Sequence, residues 1–404
     1  MEPLELEGPI DAGAEEELFR DIGRQAASEV LSRRWASAGT AAVGRCRQCG
    51  TQLQDLGLRS KAFQTLCGPI RLMRRVGYCG HCHETTAMLD ERLNANDTGI
   101  TPGLQRVICR VALEMAYGPT ASLLNDTLGF APCSSREIER VANRHGEEMG
   151  KLLETNSAVK KPPAKKVHCV AIDGTMIPGL PDPQDHRLMW HEVKLATVMD
   201  AREIECPFYL ASTDNAETFG MQLWREIESR AMAPQNFAQI IADGAPWIWN
   251  LADLHFPGVT QLLDFYHAAE HLHATATALW PDGIANAWWR RRLDQLKSGE
   301  LGNFFAALKL IAKRQTTSDP TVSPERLLHY FEENRTRLGY AEALKRNLPI
   351  GSGVVESAGR HIVQQRLKQS GMRWSLPGAQ AILNLRTRHR NGQFEQYWEN
   401  YAAA

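Results

Sequence analysis

The stretch that decides the fold is residues 237–252, FAQIIADGAPWIWNLA, together with residues 261–273, QLLDFYHAAEHLH. In each, a short apolar run is followed by an aspartate, Asp243 in the first and Asp264 in the second. Such runs predict buried strands, and a carboxylate at the end of each strand predicts a cleft at one edge of a sheet. A helical pattern that carries His267 follows Asp264 directly, which adds a proton carrier to the same edge.

A third apolar run, VHCVAIDG at residues 167–174, reaches Asp173. The chain then alternates in a definite order, with strands predicted at 192–199 and 205–212, a helix at 217–232 and the strand before Asp243. Three strands, a helix and further strands are the order of a ribonuclease-H-like α/β sheet. The first and fourth strands of such a sheet are neighbours, so we expect Asp173 and Asp243 to lie side by side.

The composition is that of a globular protein, with 43% hydrophobic residues in 404 and a formal net charge of −1. This length suggests two to four domains. No apolar run approaches the roughly 18 residues of a membrane span, and residues 1–16 are acidic and unlike a secretory leader. We therefore expect a cytoplasmic protein. The nine cysteines then predict metal ligands and buried thiols, not a disulfide framework.

Two CxxC motifs lie thirty residues apart and predict a zinc ribbon. Four thiolates on two tight turns complete the tetrahedral shell that structural Zn²⁺ prefers, and the metal would hold a module with little core. We expect a hairpin between them, with strands at 63–67 and 70–78 around a turn at Gly68 and Pro69. Four unrelated buried thiols are the alternative, and His81 or His83 could replace a ligand. The predicted ligands are Cys46, Cys49, Cys79 and Cys82.

Residues 101–150 have the helix-starting and helix-ending residues of a helix-turn-helix, with helices predicted at 102–117 and 120–128. Ser134 and Glu137 form a capping box that opens a third helix. Three arginines repeat every four residues on the outer face of this helix, as a helix in a DNA groove requires. A three-helix bundle that binds nothing is the alternative. The predicted DNA-binding arginines are Arg136, Arg140 and Arg144.

The predicted organisation has a multidomain α+β architecture. An N-terminal helix with Leu18, Ile22 and Val30 on one stripe is expected within 1–40. The remaining segments are a zinc ribbon at 41–95, a helical domain at 96–158, a basic proline-broken linker at 159–166, a ribonuclease-H-like α/β core at 167–278 and 349–404, and a helical insertion at 279–348. Tryptophans and arginines alternate in the insertion, either to stack on DNA bases or as buried rings with snorkelling arginines.

Near the C-terminus, a helix that starts around residue 353 carries Glu356 on the same face as Val363 and Leu367. The glutamate is therefore expected to point towards the core; a surface ion pair with Arg360 is the alternative. Residues 360–390 contain seven arginines and lysines and no acidic residue, which suits a polyanion that passes a metal site. The predicted DNA contacts in this segment are Arg366, Lys368 and Arg373.

The motifs together resemble those of ISKra-type bacterial insertion-sequence transposases, in the mutator-like group of DDE enzymes. The resemblance runs from about Arg45 onward through the CxxC pairs, VAIDGT at Asp173, IIADGAPWIWNLA at Asp243, LDFYHAAEHL at Asp264 and PIGSGVVESAGRHIVQQRLKQSGMRWS at Glu356. It implies a ribonuclease-H-like core that cleaves DNA and transfers strands at the element ends. Asp173, Asp243 and Glu356 match the catalytic triad, and Asp264 with His267 matches the D-x-x-H signature.

Three converging carboxylates repel one another unless cations bind, and their hard oxygens select Mg²⁺ or Mn²⁺, here as two ions. His267 would either hold the DNA or only bond Asp264. We expect the partners to be terminal inverted repeats, target DNA and further copies of the chain in a homodimer or higher oligomer. Two other functions remain open: a zinc-dependent DNA-binding regulator without catalysis, and a structure-selective metal-dependent nuclease.

Overall fold

The computed structural model describes residues 10–95, 98–155, 167–201, 208–230, 232–314, 317 and 319–403. The predicted linker at 159–166 and the first part of the predicted strand at 205–212 lie outside these residues. The chain divides into two compact units: residues 1–145 with 394–404 form the first, and residues 146–393 form the second. None of the helices in the described ranges is long and apolar enough to cross a bilayer.

The first unit begins with helix α1, Ala12–Gly39, whose first turn is capped by the Asp11 side chain. Its packing face differs from the predicted one. Leu18, Ile22 and Val30 are exposed, and it is Leu31, Trp35 and Ala38 that pack against a buried cluster of the ribbon. That cluster consists of Phe63, Ile70, Leu72, Leu89 and Ala95.

The ribbon is a three-stranded antiparallel sheet of β1 (Gln54–Thr65), β2 (Gly68–Tyr78) and β3 (Thr85–Thr86). The predicted hairpin forms, but its turn falls earlier. Thr65 pairs with Gly68, so the turn is Leu66 and Cys67, and Pro69 lies inside β2. This proline is accommodated because its missing N–H falls next to the turn, at the end of a ladder.

Four helices follow: α2 (Met88–Arg92), α3 (Pro102–Ala112), α4 (Tyr117–Leu128) and α5 (Ser135–Thr155). The predicted break between the helices at 102–117 and 120–128 falls earlier, and Gly118 and Pro119 lie in the first turn of α4, where a proline costs no helical hydrogen bond. The capping box forms as predicted, since Ser134 N–H donates to Glu137 Oε2 (2.8 Å) and Glu137 N–H to Ser134 Oγ (3.3 Å).

The C-terminal helix, Phe394–Ala403, belongs to this first unit, whereas the sequence pattern predicts residues 349–404 as part of the core. His145 packs against this helix. This fully buried histidine makes hydrogen bonds with the Tyr397 hydroxyl (2.6 Å) and Gln105 Oε1 (2.7 Å), and its ring packs against Trp398. His145 is therefore the core histidine that its apolar helix face indicates.

The second unit is built on a five-stranded mixed sheet in the order β6-β5-β4-β7-β8. The β4–β5 and β5–β6 pairs are antiparallel, and the β4–β7 and β7–β8 pairs are parallel. The first and fourth strands of the unit are thus neighbours, as the element order predicts. The strands are β4 (His168–Pro181), β5 (Leu188–Asp200), β6 (Phe208–Ser212), β7 (Phe237–Ala242) and β8 (Thr260–Leu263).

Helices surround this sheet. They are α6 (Ala216–Ser229), α7 (Pro246–His255), α8 (Phe265–Leu279), α9 (Asp282–Ser298), α10 (Leu301–Arg314), α11 (Pro324–Glu333), α12 (Tyr340–Lys345), α13 (Gly353–Ala358), α14 (Gln365–Leu367) and α15 (Leu376–Arg390). A π-helical segment, Gly359–Gln364, joins α13 to α14. The predicted insertion at 279–348 is accordingly helical.

Candidate functional site: a carboxylate edge and a four-cysteine cluster

Two sharp turns bring the four predicted cysteines together. The Sγ atoms of Cys46, Cys49, Cys79 and Cys82 all lie within 4.8 Å of one another. Cys46 N–H donates to the Thr51 carbonyl (2.8 Å) and Cys79 N–H to the Glu84 carbonyl (2.9 Å), which closes each turn. Four convergent sulfurs on two turns form a cluster that could hold a metal ion.

The cysteines are not electrostatically equivalent. The Thr51 hydroxyl and N–H lower the pKa of Cys49 to about 6, and the neighbouring thiols, led by Cys49, raise the pKa of Cys82 to about 12. His83 Nδ1 lies 3.0 Å from the Tyr78 hydroxyl and outside the four-sulfur cluster, as does His81.

In the second unit, Asp173 and Asp243 occupy equivalent positions next to the end of the parallel pairing between β4 and β7. The last pair between β4 and β7 is Ile172 with Ala242, so the two aspartates are the next residue on each strand. One correction applies to β4. It does not end at Asp173 but continues to Pro181, because β5 is long enough to pair with it as a hairpin arm. Asp173 thus lies where the parallel pairing stops.

Each of these carboxylates has one oxygen fixed by the backbone. Asp173 Oδ1 accepts the Gly174 N–H (2.7 Å), and Asp243 Oδ1 accepts the Ala245 N–H (2.9 Å). Burial, together with the charges of Asp243 and Glu356, raises the pKa of Asp173 to about 6. The three predicted carboxylates are therefore close enough to influence each other electrostatically.

Glu356 lies on α13 and is half-buried. Its Oε1 is 3.5 Å from Ser352 Oγ, and no ion pair with Arg360 forms in the described part of the chain. The alternative of a surface pair with Arg360 is thereby excluded for this conformation. Glu356 faces the strand ends.

Asp264 is fully buried at the end of β8, where it caps α8. Its Oδ1 accepts the N–H groups of Tyr266 (2.6 Å) and His267 (3.1 Å), and its Oδ2 accepts the Ser352 N–H (2.5 Å). Both oxygens of the Asp264 carboxylate thus accept backbone N–H groups. It ties the end of β8 to the turn that starts the Glu356 helix.

His267 lies among these carboxylates, with its Nδ1 3.8 Å from Asp264 Oδ1. The Asp264 carboxylate, followed by the charges of Asp173 and Asp243, raises the pKa of His267 to about 9. The imidazole is therefore positively charged at neutral pH and compensates part of the negative charge at this edge.

The most compact group at this edge differs from the predicted one. Ligand atoms of Asp264, His267 and Glu356 lie within 4.8 Å of one another, whereas among the described residues no such group contains Asp173, Asp243 and Glu356 together. The positive charge of His267 favours the first group, whereas repulsion among the three carboxylates disfavours the second. The sequence pattern alone does not show how these attractive and repulsive charges are arranged in space.

The predicted DNA-binding residues fall into two classes. Arg136, Arg140, Lys368 and Arg373 are exposed, and Lys368 Nζ donates to Thr175 Oγ1 (2.8 Å), two residues beyond Asp173. The prediction that Arg366 contacts DNA is wrong for this structure. Its side chain is 1% exposed and packs over the Trp374 ring at 5.0 Å, directly after the π-helical segment.

The prediction that Arg144 lies on the DNA-binding face of α5 is also wrong. It is half-buried, and its Nη2 donates to Gln105 Oε1 (2.6 Å). The inner face of α5 is wider than a strict four-residue stripe, so a long side chain next to His145 turns towards α3. It does not face solvent with Arg136 and Arg140.

One residue next to the carboxylates is not predicted from the sequence. Tyr330, on α11 of the insertion, donates its hydroxyl to the main-chain carbonyl of Asp243 (2.9 Å). Nothing in the pattern around Tyr330 signals this bond, because the two residues are 87 positions apart.

No family model matches the chain, and no curated protein matches it. Among solved structures, the chain is similar to the Drosophila P element transposase strand transfer complex. The TM-score is 0.29 and the sequence identity is 12%, over 74% of this chain and 80% of that chain. A similarity of this size does not establish a family.

Proposed function

We propose that the protein is a DNA transposase that cleaves and joins DNA strands with the help of divalent cations. One observation carries the proposal: Asp173 and Asp243 follow paired residues of neighbouring parallel strands, and their charges interact with each other and with Glu356. The motif resemblance to ISKra-type transposases adds the reaction class, and the ribonuclease-H-like reading of the second unit is part of the same proposal.

The residues present fit a divalent-ion site. Asp173 and Asp243 each have one oxygen held by a backbone N–H, and their Oδ2 atoms have no hydrogen bond within the described ranges. Mg²⁺ and Mn²⁺ prefer carboxylate oxygens in such settings. Asp173, Asp243 and Glu356 would hold two such ions, which would supply Lewis-acid activation of the attacking hydroxyl and of the leaving oxygen.

The roles of Asp264 and His267 are refined in this proposal. Asp264 accepts three backbone N–H groups and is a positioning residue for the Glu356 helix. His267 supplies a positive charge next to the carboxylates, where a DNA phosphate would lie. The exposed Lys368 and Arg373 extend that positive charge along the backbone of the DNA.

The first unit would recognise DNA at the element ends. A structural Zn²⁺ in the four-cysteine cluster would hold the ribbon, and the exposed Arg136 and Arg140 on α5 would contact phosphates or bases. The expected partners are terminal repeats and target DNA, bound by more than one copy of the chain.

The test is Mg²⁺-dependent nicking of DNA taken from the regions that flank the gene. We expect the full chain to nick at a defined terminal position, and Asp243→Asn to lose nicking by at least a hundredfold while DNA binding in a gel assay persists. Full nicking by Asp243→Asn would refute the proposal. Joining of pre-cleaved ends to a second duplex separates a transposase from a nuclease, which would cleave without joining.

A further inference from the structure

The helical insertion contributes a tyrosine to the carboxylate edge. Tyr330 lies on α11 and donates its hydroxyl to the Asp243 carbonyl at 2.9 Å. This bond joins the insertion to the residue that follows β7.

The ring of Tyr330 is held in place independently of that bond. It packs against the His271 ring on α8 at 4.3 Å between centroids, one helical turn after His267. Asn334 Nδ2 donates to the Tyr330 carbonyl (3.0 Å), and Asn334 is 3% exposed. The hydroxyl is therefore presented to Asp243 by a side chain with little freedom to move.

The backbone at Asp243 depends on this packing. Gly244 has φ +108°, which L side chains rarely adopt, and a Cβ there would lie 3.2 Å from both the Leu263 side chain and the Tyr330 ring. The turn after Asp243 thus passes between β8 and the insertion. Its peptide orientation is fixed from the strand side by Leu263 and from the insertion side by Tyr330.

A second contact holds the insertion to the same edge. Arg337 Nε donates to Gln261 Oε1 of β8 (2.8 Å), and its guanidinium lies over the Trp249 ring of α7 at 4.5 Å. The insertion is accordingly bonded through Tyr330 to Asp243, which follows β7, and through Arg337 to Gln261 of β8.

We propose that Tyr330 is a positioning residue for Asp243, so that the helical insertion forms part of the ion site and is not only a DNA-binding appendage. The inference rests on the proposed function in so far as Asp243 holds a divalent ion. Loss of the hydroxyl frees the Asp243 peptide to rotate and weakens ion binding without removing a ligand.

The matched variants are Tyr330→Phe and Tyr340→Phe. Each removes one hydroxyl from a tyrosine of the insertion, half-buried in Tyr330 and fully buried in Tyr340. Tyr340 packs edge-on against Phe265, and its hydroxyl has no hydrogen-bond partner in the described part of the chain. Mn²⁺ binding to the full chain is measured by electron paramagnetic resonance, with Asp243→Asn defining the signal from this site. Half-maximal Mg²⁺ for nicking is measured in parallel.

Tyr330→Phe is expected to weaken Mn²⁺ binding and to raise the Mg²⁺ requirement by about fivefold to tenfold, the usual effect of one lost hydrogen bond. Tyr340→Phe is expected to change neither by more than about twofold. Unchanged ion binding in Tyr330→Phe would overturn the inference, and so would an equal loss in both variants. A wild-type chain that binds Mn²⁺ at Asp243 but does not nick DNA would refute the proposed function alone. A chain that binds no Mn²⁺ would overturn both.

Discussion

At the level of single residues, burial and charge separate the acidic side chains into two roles. Asp173 and Asp243 each keep one oxygen without a hydrogen bond in the described ranges, whereas Asp264 is buried and uses both oxygens on backbone N–H groups. A carboxylate bonded on both sides organises the backbone and is poorly placed to bind an ion as well. The strand pattern of the sequence shows three similar strand-end aspartates, and only the motif resemblance sets Asp264 apart from Asp173 and Asp243.

Asp264→Asn tests the positioning role. An amide has one acceptor oxygen, so either the α8 N–H groups or the Ser352 N–H would face a donor in a buried site. We expect a loss of about 1 to 3 kcal/mol in the free energy of unfolding and a lower nicking rate with DNA binding retained. Ser352→Ala keeps the backbone N–H and serves as the control in chemical denaturation. Equal stability of Asp264→Asn and the wild type would contradict the role.

Asp173 predicts a pH dependence of stability when no divalent ion is added. Its folded pKa of about 6 lies above the ordinary value of 3.8, so the folded state holds its proton longer than the unfolded state. Stability from this group is complete below about pH 4, falls as pH rises from about 4 to 6, and stays low above that range. The cost at pH 7 is on the order of 3 kcal/mol.

The isosteric variant Asp173→Asn removes that cost. In thermal unfolding without Mg²⁺ or Mn²⁺, it should therefore be more stable than the wild type at pH 7 and nearly equal to it at pH 4. Identical unfolding midpoints at both pH values would show that Asp173 is not strained by burial and by its acidic neighbours.

At the level of elements, the ribbon and α5 were predictable because their signals are local. Cysteine spacing and the Ser134–Glu137 capping box depend on residues a few positions apart. The packing face of α1 was not predictable. Its apolar residues surround the helix, and only the ribbon cluster selects Leu31, Trp35 and Ala38 over Leu18, Ile22 and Val30.

The four-cysteine cluster predicts one Zn²⁺ per chain. Cys79→Ser should abolish bound zinc, measured by mass spectrometry of the purified protein, and should loosen the β1–β2 hairpin, because metal binding supplies most of the folding free energy of such a module. Cys67→Ser is the control, since Cys67 lies in the hairpin turn and outside the cluster. Full zinc content in Cys79→Ser would contradict a structural zinc site.

On α5, Arg140 is exposed and Arg144 is half-buried, so we expect only Arg140 to contact DNA. Arg140→Ala should reduce the slope of log affinity against log salt for DNA binding by about 1, as expected when one phosphate contact is lost. Arg144→Ala should leave that slope unchanged and cost about 1 kcal/mol of stability through the lost bond to Gln105. The reverse result, a salt effect only in Arg144→Ala, would place the DNA on the other face of the helix.

At the level of the whole second unit, the order of strands was predictable and the surroundings of the carboxylates were not. Alternating apolar runs and helices were enough to place Asp173 next to Asp243. The bonds from Tyr330 to Asp243 and from Ser352 to Asp264 join residues 87 and 88 positions apart, through groups that occur everywhere in proteins. Such bonds arise from tertiary packing, for which a single sequence has no periodic signal.

The central claim is that Asp173, Asp243 and Glu356 hold divalent cations together. The most direct measurement is a crystal structure of the full chain soaked in Mn²⁺, with anomalous difference maps calculated at the manganese edge. The account predicts anomalous peaks within coordination distance of all three carboxylates, and their absence in Asp243→Asn. Manganese bound only at Asp264 and His267, or no peak at this edge of the sheet, would contradict it.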